Sequence, residues 1–202
     1  MEYYLSIITF TFVAGITPGP NSLMLLASGL NHGVRQSIPH YLGVCIGFPV
    51  MATIMAFGIG ALFRGYPNIY LYLKISGIVY LLYLSWKIAN TGNPSSGAKI
   101  REPFTFIQAA MFQWLNPKAW VIALGALAAF TSPENFIFGA TVVIVSYFFM
   151  GFICMACWLM LGQSMQKFLS NSKRTHYFNI LMAVLLALSV IPMAFTDFSD
   201  LT

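Results

Sequence analysis

The chain has 202 residues, 58% of them hydrophobic and only 7% charged, with a mean hydropathy of +0.77. Water-soluble domains carry about 25% charged residues, so this composition excludes a solvated globule and makes lipid the expected solvent. The net charge of +5 does not point to nucleic acid, because the ten Lys and Arg are scattered and form no basic stripe interleaved with aromatics.

A bilayer core about 30 Å thick takes about 20 apolar residues per helix. Six stretches qualify, at about 3–30, 38–63, 69–88, 104–130, 136–161 and 177–195. They are too long and too continuously apolar for barrel strands, which alternate over about ten residues. The predicted fold is all-α and polytopic, with six transmembrane helices in a single domain, 1–202. The start Met-Glu-Tyr-Tyr has no basic n-region, so the first span is expected to be retained and not cleaved as a signal peptide.

With six spans the connections alternate in side. Arg35, Lys87, Lys99, Arg101, Lys167, Lys173 and Arg174, seven of the ten basic residues, fall on one side. The other side has Arg64 and Lys74 together with Glu2, Glu134, Asp197 and Asp200. The Lys and Arg excess marks the cytoplasmic face, which predicts an inner-membrane protein with both termini outside. The longest polar connection, "IANTGNPSSGAKIREPF" at 88–104, reads as a flexible linker between half-repeats of about 1–97 and 98–202.

Two spans carry interruptions. The first contains "AGITPGPNSLML" at 14–25, and the fourth "FQWLNPKAWVIALG" at 112–125. Pro20 and Pro117 stand 97 residues apart, close to half the chain, and three intervening spans make the two helices cross in opposite directions. An inverted 3+3 repeat with a discontinuous helix in each half is the pattern of secondary transporters. Proline has no N–H and clashes with the preceding turn, so each span should split into two half-helices. Thr17 or Gly19 can cap the second half-helix of the first span, with Pro18 or Pro20 in its first turn. Asn116 and Pro117 suit the N-cap and first helical positions in the fourth.

Each break exposes N–H groups, carbonyls and a positive helix end that lipid cannot satisfy, so it must face protein or a watery cavity. A small zwitterion suits such a place. The candidate substrate-binding residues are Thr17, Pro18, Gly19, Pro20, Asn21, Asn116, Pro117 and Lys118, with backbone groups near Gly19 and Pro117 binding the charged ends and Asn21 and Asn116 orienting the substrate. Lys118 either neutralises the carboxylate or changes protonation during transport, the plainer readings being snorkelling or pairing with a backbone carbonyl. The bland alternative for both breaks is a proline kink packed against neighbours. Gly43 and Gly47, four apart, read first as helix-packing positions.

The stretch "TPGPNSLMLLASGLNHGVRQSIPHYLGVCIGF" at 17–48, with "YLLYLSWKI" at 80–88 and "FQWLNPKAW" at 112–120, resembles the LysE family of amino-acid exporters in its RhtB branch, for homoserine and threonine. The matching positions include Pro18, Gly19, Pro20, Asn21, Gly33, Gly43 and Gly47. The "HGVRQS" neighbourhood is most similar to exporters of cysteine and O-acetylserine. The resemblance implies antiport-type efflux of a small neutral amino acid driven by an ion gradient. It also argues against a cationic substrate, because the second helix lacks the carboxylate that the family's lysine and arginine exporters often have. The partners expected are that substrate, a coupling ion (the proton before sodium), membrane lipid and, as an open case, a second copy in a homodimer.

The remaining chemistry is weighed against this reading. Cys154 and Cys157 spell C-x-x-C, which makes a membrane thiol/disulfide electron carrier the rival function. A carrier should hold its cysteines at the breaks, so small apolar helix residues are the plainer reading. His32 and His40 flank the first turn, where the plain expectation is a solvated imidazole and the alternative a proton carrier. Ser22 and Ser28 lie in no G-x-S-x-G elbow and no H-E-x-x-H is present, so no enzyme is expected, and neither a metal nor a cofactor.

Overall fold

The computed structural model describes residues 1–59, 68–90, 102–166 and 172–191. Most of the 88–104 linker, with Lys99 and Arg101, lies outside the described residues, as do Arg64, Lys167, Asp197, Asp200 and the side chain of Lys74. Among the described residues seven α-helices follow in order: α1 (Glu2–Ile16), α2 (Pro20–Ile54), α3 (Asn68–Ala89), α4 (Phe106–Leu115), α5 (Pro117–Phe130), α6 (Phe136–Met165) and α7 (Ser172–Leu188). A π-helical turn, Met55–Ile59, extends α2, and a 3-10 turn, Pro133–Asn135, precedes α6. No strand occurs among the described residues.

The helix ends follow from proline chemistry. A residue before proline is pushed out of the helical region towards extended backbone. Thr17 before Pro18 (φ −62°, ψ 135°), Gly19 before Pro20 (φ −169°, ψ −177°) and Asn116 before Pro117 (φ −92°, ψ 99°) all obey. The first apolar run is thereby divided into α1 and the start of α2, and the fourth into α4 and α5. Of the two capping possibilities in the first break, Gly19 is the N-cap, with Pro20 at the first helical position. Thr17 instead closes α1, its hydroxyl donating to the carbonyls of Val13 and of Ala14 (3.2 Å). Asn116 holds the N-cap position of α5 but makes no side-chain capping bond.

The sequence suggests a short connection between residues 30 and 38, and here the structure differs. Helical geometry runs through α2 except at Gly33 (φ 76°, ψ 171°), a conformation open essentially to glycine alone. Straight, 35 residues of helix would reach about 52 Å, well beyond a bilayer core. Gly33 folds the helix into two arms, 20–32 and 34–54. Two α6 glutamines serve the backbone at this fold: Val34 N–H donates to Gln163 Oε1 (2.6 Å), and Gln166 Nε2 donates to the carbonyls of Gly29 (3.1 Å) and Leu30 (2.8 Å). His40, expected at a solvated turn, lies on the second arm and is 3% exposed.

Helix α6 is the mast on which both arms pack. The first arm crosses it backbone to backbone, since a Cβ on Gly29 would strike the Leu159 carbonyl and one on Gly162 the Leu26 carbonyl. The second arm runs antiparallel to α6, with Tyr41 donating to the Phe152 carbonyl (2.9 Å) and Phe48 against Tyr147. Gly43 and Gly47 are buried against α4: a Cβ on Gly43 would meet the Phe106 carbonyl, and one on Gly47 would lie 2.6 Å from Ala110 Cα. One apolar core joins the first arm, α3, α4 and α7 through Leu23, Leu26, Leu81, Phe112 and Leu186. A second joins both arms, α4 and α6 through Leu25, Val44, Ala109 and Leu159.

The outer faces are apolar as well. Tyr72, Trp86, Ile107, Ile137 and Phe149 are each at least 60% exposed. Such a surface suits lipid, and α2 and α6 are each long and apolar enough to cross a membrane. The described residues are all-helical and consistent with a membrane protein.

Candidate substrate cavity

The two breaks meet. The Tyr3 hydroxyl donates to the Phe130 carbonyl (2.7 Å), Lys118 Nζ donates to the carbonyls of Thr17 (2.9 Å) and Pro18 (3.1 Å), and the side chains of Asn21 and Gln113 pair. As the number rises along the first broken helix it falls along the other, so the two lie antiparallel and side by side. Their gaps sit at the same level.

The first gap is served by the other half of the chain. Lys118, at the start of α5, places its ammonium on the carbonyls that α1 leaves open, using two of its three donors. A Cβ on Gly19 would fall 2.7–2.8 Å from the Lys118 side chain, so glycine here admits the lysine. The amides of Asn21 and Gln113 close a reciprocal pair, with Asn21 Nδ2 to Gln113 Oε1 at 2.8 Å and Gln113 Nε2 to Asn21 Oδ1 at 3.2 Å. Gln113 Nε2 also donates to the Ala109 carbonyl (2.9 Å), and Trp120 Nε1 takes the Trp114 carbonyl near the end of α4 (2.9 Å).

Beside this junction lies a cavity of about 70 Å³, lined by Gly19, Pro20, Asn21, Asn116, Lys118 and Tyr147 among others. At 10–15 Å³ per water, it has room for roughly five waters or one small solute. Two of the residues that border it each hold a buried side-chain atom without a hydrogen-bond partner, Asn116 its Oδ1 and Tyr147 its hydroxyl. Buried polar atoms left unpaired are costly and rare. The first turn of a helix also leaves N–H groups without an intrahelical acceptor, which at the start of α2 means Asn21 and Ser22, because Pro20 has none. A further open acceptor comes from Pro49, which has no N–H to offer the Cys45 carbonyl one turn earlier; both residues line the cavity. The lining thus offers donors and positive charge together with unpaired acceptors.

Of the residues singled out in sequence, Gly19, Pro20, Asn21, Asn116 and Lys118 border the cavity. Thr17 and Pro18 contribute carbonyls that Lys118 occupies, and Pro117 shapes the second gap without bordering the space. The LysE-type translocator family model matches residues 12–192, most of the chain and both breaks. The chain belongs to the LysE-type translocator family. Similar proteins include the cysteine/O-acetylserine efflux proteins of Salmonella paratyphi A (strain ATCC 9150 / SARB42), 31% identical over 183 residues, and of Escherichia coli (strain K12), 28% identical over 182 residues. Each alignment covers 88% of this chain and 90% of the relative. No solved structure matches the chain.

In this LysE-type translocator, Gln113, Tyr147, Cys45 and Pro49 escaped the reading of the sequence. Gln113 had a signal, being a polar side chain inside an apolar span three residues before Asn116. Tyr147 had none, because tyrosine is ordinary in membrane helices. Cys154 is buried near α1, with its thiol 3.8 Å from the Phe12 carbonyl, while Cys157 is exposed. Both are free, and α6 is continuous past them, so neither sits at a break.

Proposed function

We propose that the chain exports small neutral amino acids or their derivatives, of the size of cysteine, O-acetylserine, homoserine or threonine, out of the cytoplasm across the inner membrane. The observation that carries this reading is the convergence of two antiparallel helix breaks on one small cavity whose lining offers both donors and buried, unpaired acceptors. The substrate carboxylate lies against the Asn21 and Ser22 N–H groups, with Lys118 supplying its remaining donor. The ammonium lies against Asn116 Oδ1 and the Cys45 carbonyl, and the Tyr147 hydroxyl faces the polar part of the side chain. The Asn21 amide holds Gln113 and thereby keeps the two breaks in register. Cavity volume favours a substrate with few heavy atoms, and the absence of an acidic side chain among the lining residues favours a zwitterion over a cation. The names of the relatives support the same class.

Transport follows an inverted 3+3 arrangement of six spans, the folded-back α2 counting as parts of two. One half rocks against the other about the cavity, with the 88–104 linker as slack and an ion gradient, the proton before sodium, as the drive. Both termini face outward, as the distribution of Lys and Arg suggests. Counterflow in proteoliposomes with labelled amino acids tests the reading. The wild type should exchange at least one of the four candidates, and Asn116→Ala should lower its kcat/KM by about 10- to 100-fold, the cost of losing a hydrogen bond to a charged group. Equal exchange by wild type and Asn116→Ala overturns the assignment.

A further inference from the structure

A second cavity, of about 80 Å³, opens where the first arm of α2 reaches Gly33, between the ends of α3 and α4. It is lined by Ser28, His32, His40, Lys87, Glu102 and Phe104, among others. Along the first arm its lining runs from Met24 to His32, three to eleven residues beyond Asn21. Leu23 and Leu26 of the same arm and Phe112 of α4 are buried together in the first apolar core. The second cavity is on the side that the basic residues assign to the cytoplasm, the side from which an exported molecule must come.

His40 makes this cavity more than a gap in packing. It is 3% exposed, and both ring nitrogens lack a hydrogen-bond partner. A neutral imidazole presents one donor and one acceptor, and burying both unpaired costs about as much as losing two hydrogen bonds. The residue borders the cavity, with its ring 5.3 Å from that of Phe104. Lys87 Nζ stands 5.5 Å from the centre of the same ring, and Glu102 is two residues before it. Ser28, paired with Ser37 at 2.8 Å, adds a hydroxyl to the floor. A cation, an anion, an imidazole and a hydroxyl thus surround a space of the size found at the helix breaks.

We infer that this cavity is a second binding site, a loading station for a zwitterionic amino acid on the cytoplasmic side of the broken helices. The carboxylate sits towards Lys87 and the imidazole donor of His40, the ammonium towards Glu102, and the aliphatic part against Phe104. The inference rests on the amino-acid reading of the main cavity. On this reading the core of Leu23, Leu26 and Phe112 is what rocking of the halves must part, and one molecule can pass from the loading station to the main cavity.

Binding stoichiometry of the full chain in nanodiscs tests it, with radiolabelled L-cysteine, O-acetyl-L-serine, L-homoserine and L-threonine as probes. The wild type should bind two molecules of a transported probe per chain. Lys87→Met and His40→Phe should each weaken one site at least about tenfold and leave the other, and Asn116→Ala should do the reverse. The surviving site in each variant shows that the protein is folded. One site per chain, lost in Asn116→Ala and indifferent to Lys87→Met and His40→Phe, overturns the loading station while the main cavity stands. No binding of any probe by the wild type overturns both.

Discussion

Replacing Asn21 by alanine removes one member of the amide pair that ties the two helix breaks together. Its partner Gln113 is fully buried, so its Oε1, which accepts from Asn21 at 2.8 Å, is left without a donor. Its Nε2 keeps only the Ala109 carbonyl. An orphaned buried amide costs about 1–3 kcal/mol. Gln113→Leu orphans Asn21 in turn, at similar or smaller cost because Asn21 also borders the cavity. Making both changes leaves nothing unpaired. Interhelical hydrogen bonds in membranes average about 0.6 kcal/mol each, and two of them link this pair. The double variant should therefore be less destabilised than the sum of the singles by about 1–2 kcal/mol. Reversible unfolding in mixed micelles, followed by tryptophan fluorescence, measures all four corners of the cycle. Additivity within about 0.5 kcal/mol, as for independent sites, would refute a direct bond between the breaks.

Three further outcomes are expected. Gly33→Ala should destabilise by about 1–3 kcal/mol, because its backbone (φ 76°) is one that an L side chain tolerates poorly; a thermal midpoint equal to wild type would contradict the fold of α2 at that residue. Gly162→Leu drives a side chain into the Leu26 carbonyl and should abolish a monodisperse elution profile, whereas Gly151→Ala, where a Cβ meets nothing within 4 Å, should elute as wild type does. Cys154→Ser with Cys157→Ser should leave counterflow within about twofold of wild type, since neither thiol borders the cavity; loss of transport would favour thiol chemistry.

The breaks were legible because they contradict their surroundings. Pro18, Pro20 and Pro117 stand in apolar runs where a missing N–H has no water to replace it, and the residues before them must leave the helical region. Pro49 shows the other side of that rule. It lies inside α2 without ending it, so a proline marks a break only where a glycine or an N-capping residue precedes it. The fold at Gly33 was harder to see. Asn31, His32 and Gly33 read as a polar loop, while the donors and acceptors that let the helix turn there belong to Gln163 and Gln166, more than 120 residues away. His40 was misread for a related reason. It lies a few residues after the polar run Arg35–Ser37, but Phe104 packs on it and it is buried on the second arm. Asn116 was found, yet its significance came from an absence only coordinates reveal, a capping residue whose oxygen caps nothing.

The account turns on the amino acid lying between the two breaks, and Cys45 reports on that place. It borders the cavity and is 2% exposed, and with Cys154→Ser and Cys157→Ser it is the last thiol in the chain. The decisive measurement is the rate at which a methanethiosulfonate modifies Cys45 with and without a transported, thiol-free amino acid such as L-threonine or L-homoserine. At ten times its Kd, mass action should slow labelling about elevenfold, and Asn116→Ala should cut the protection to about twofold or less at that concentration. Labelling of Cys45 at one rate with the cavity offered saturating transported substrate and without it would contradict the account.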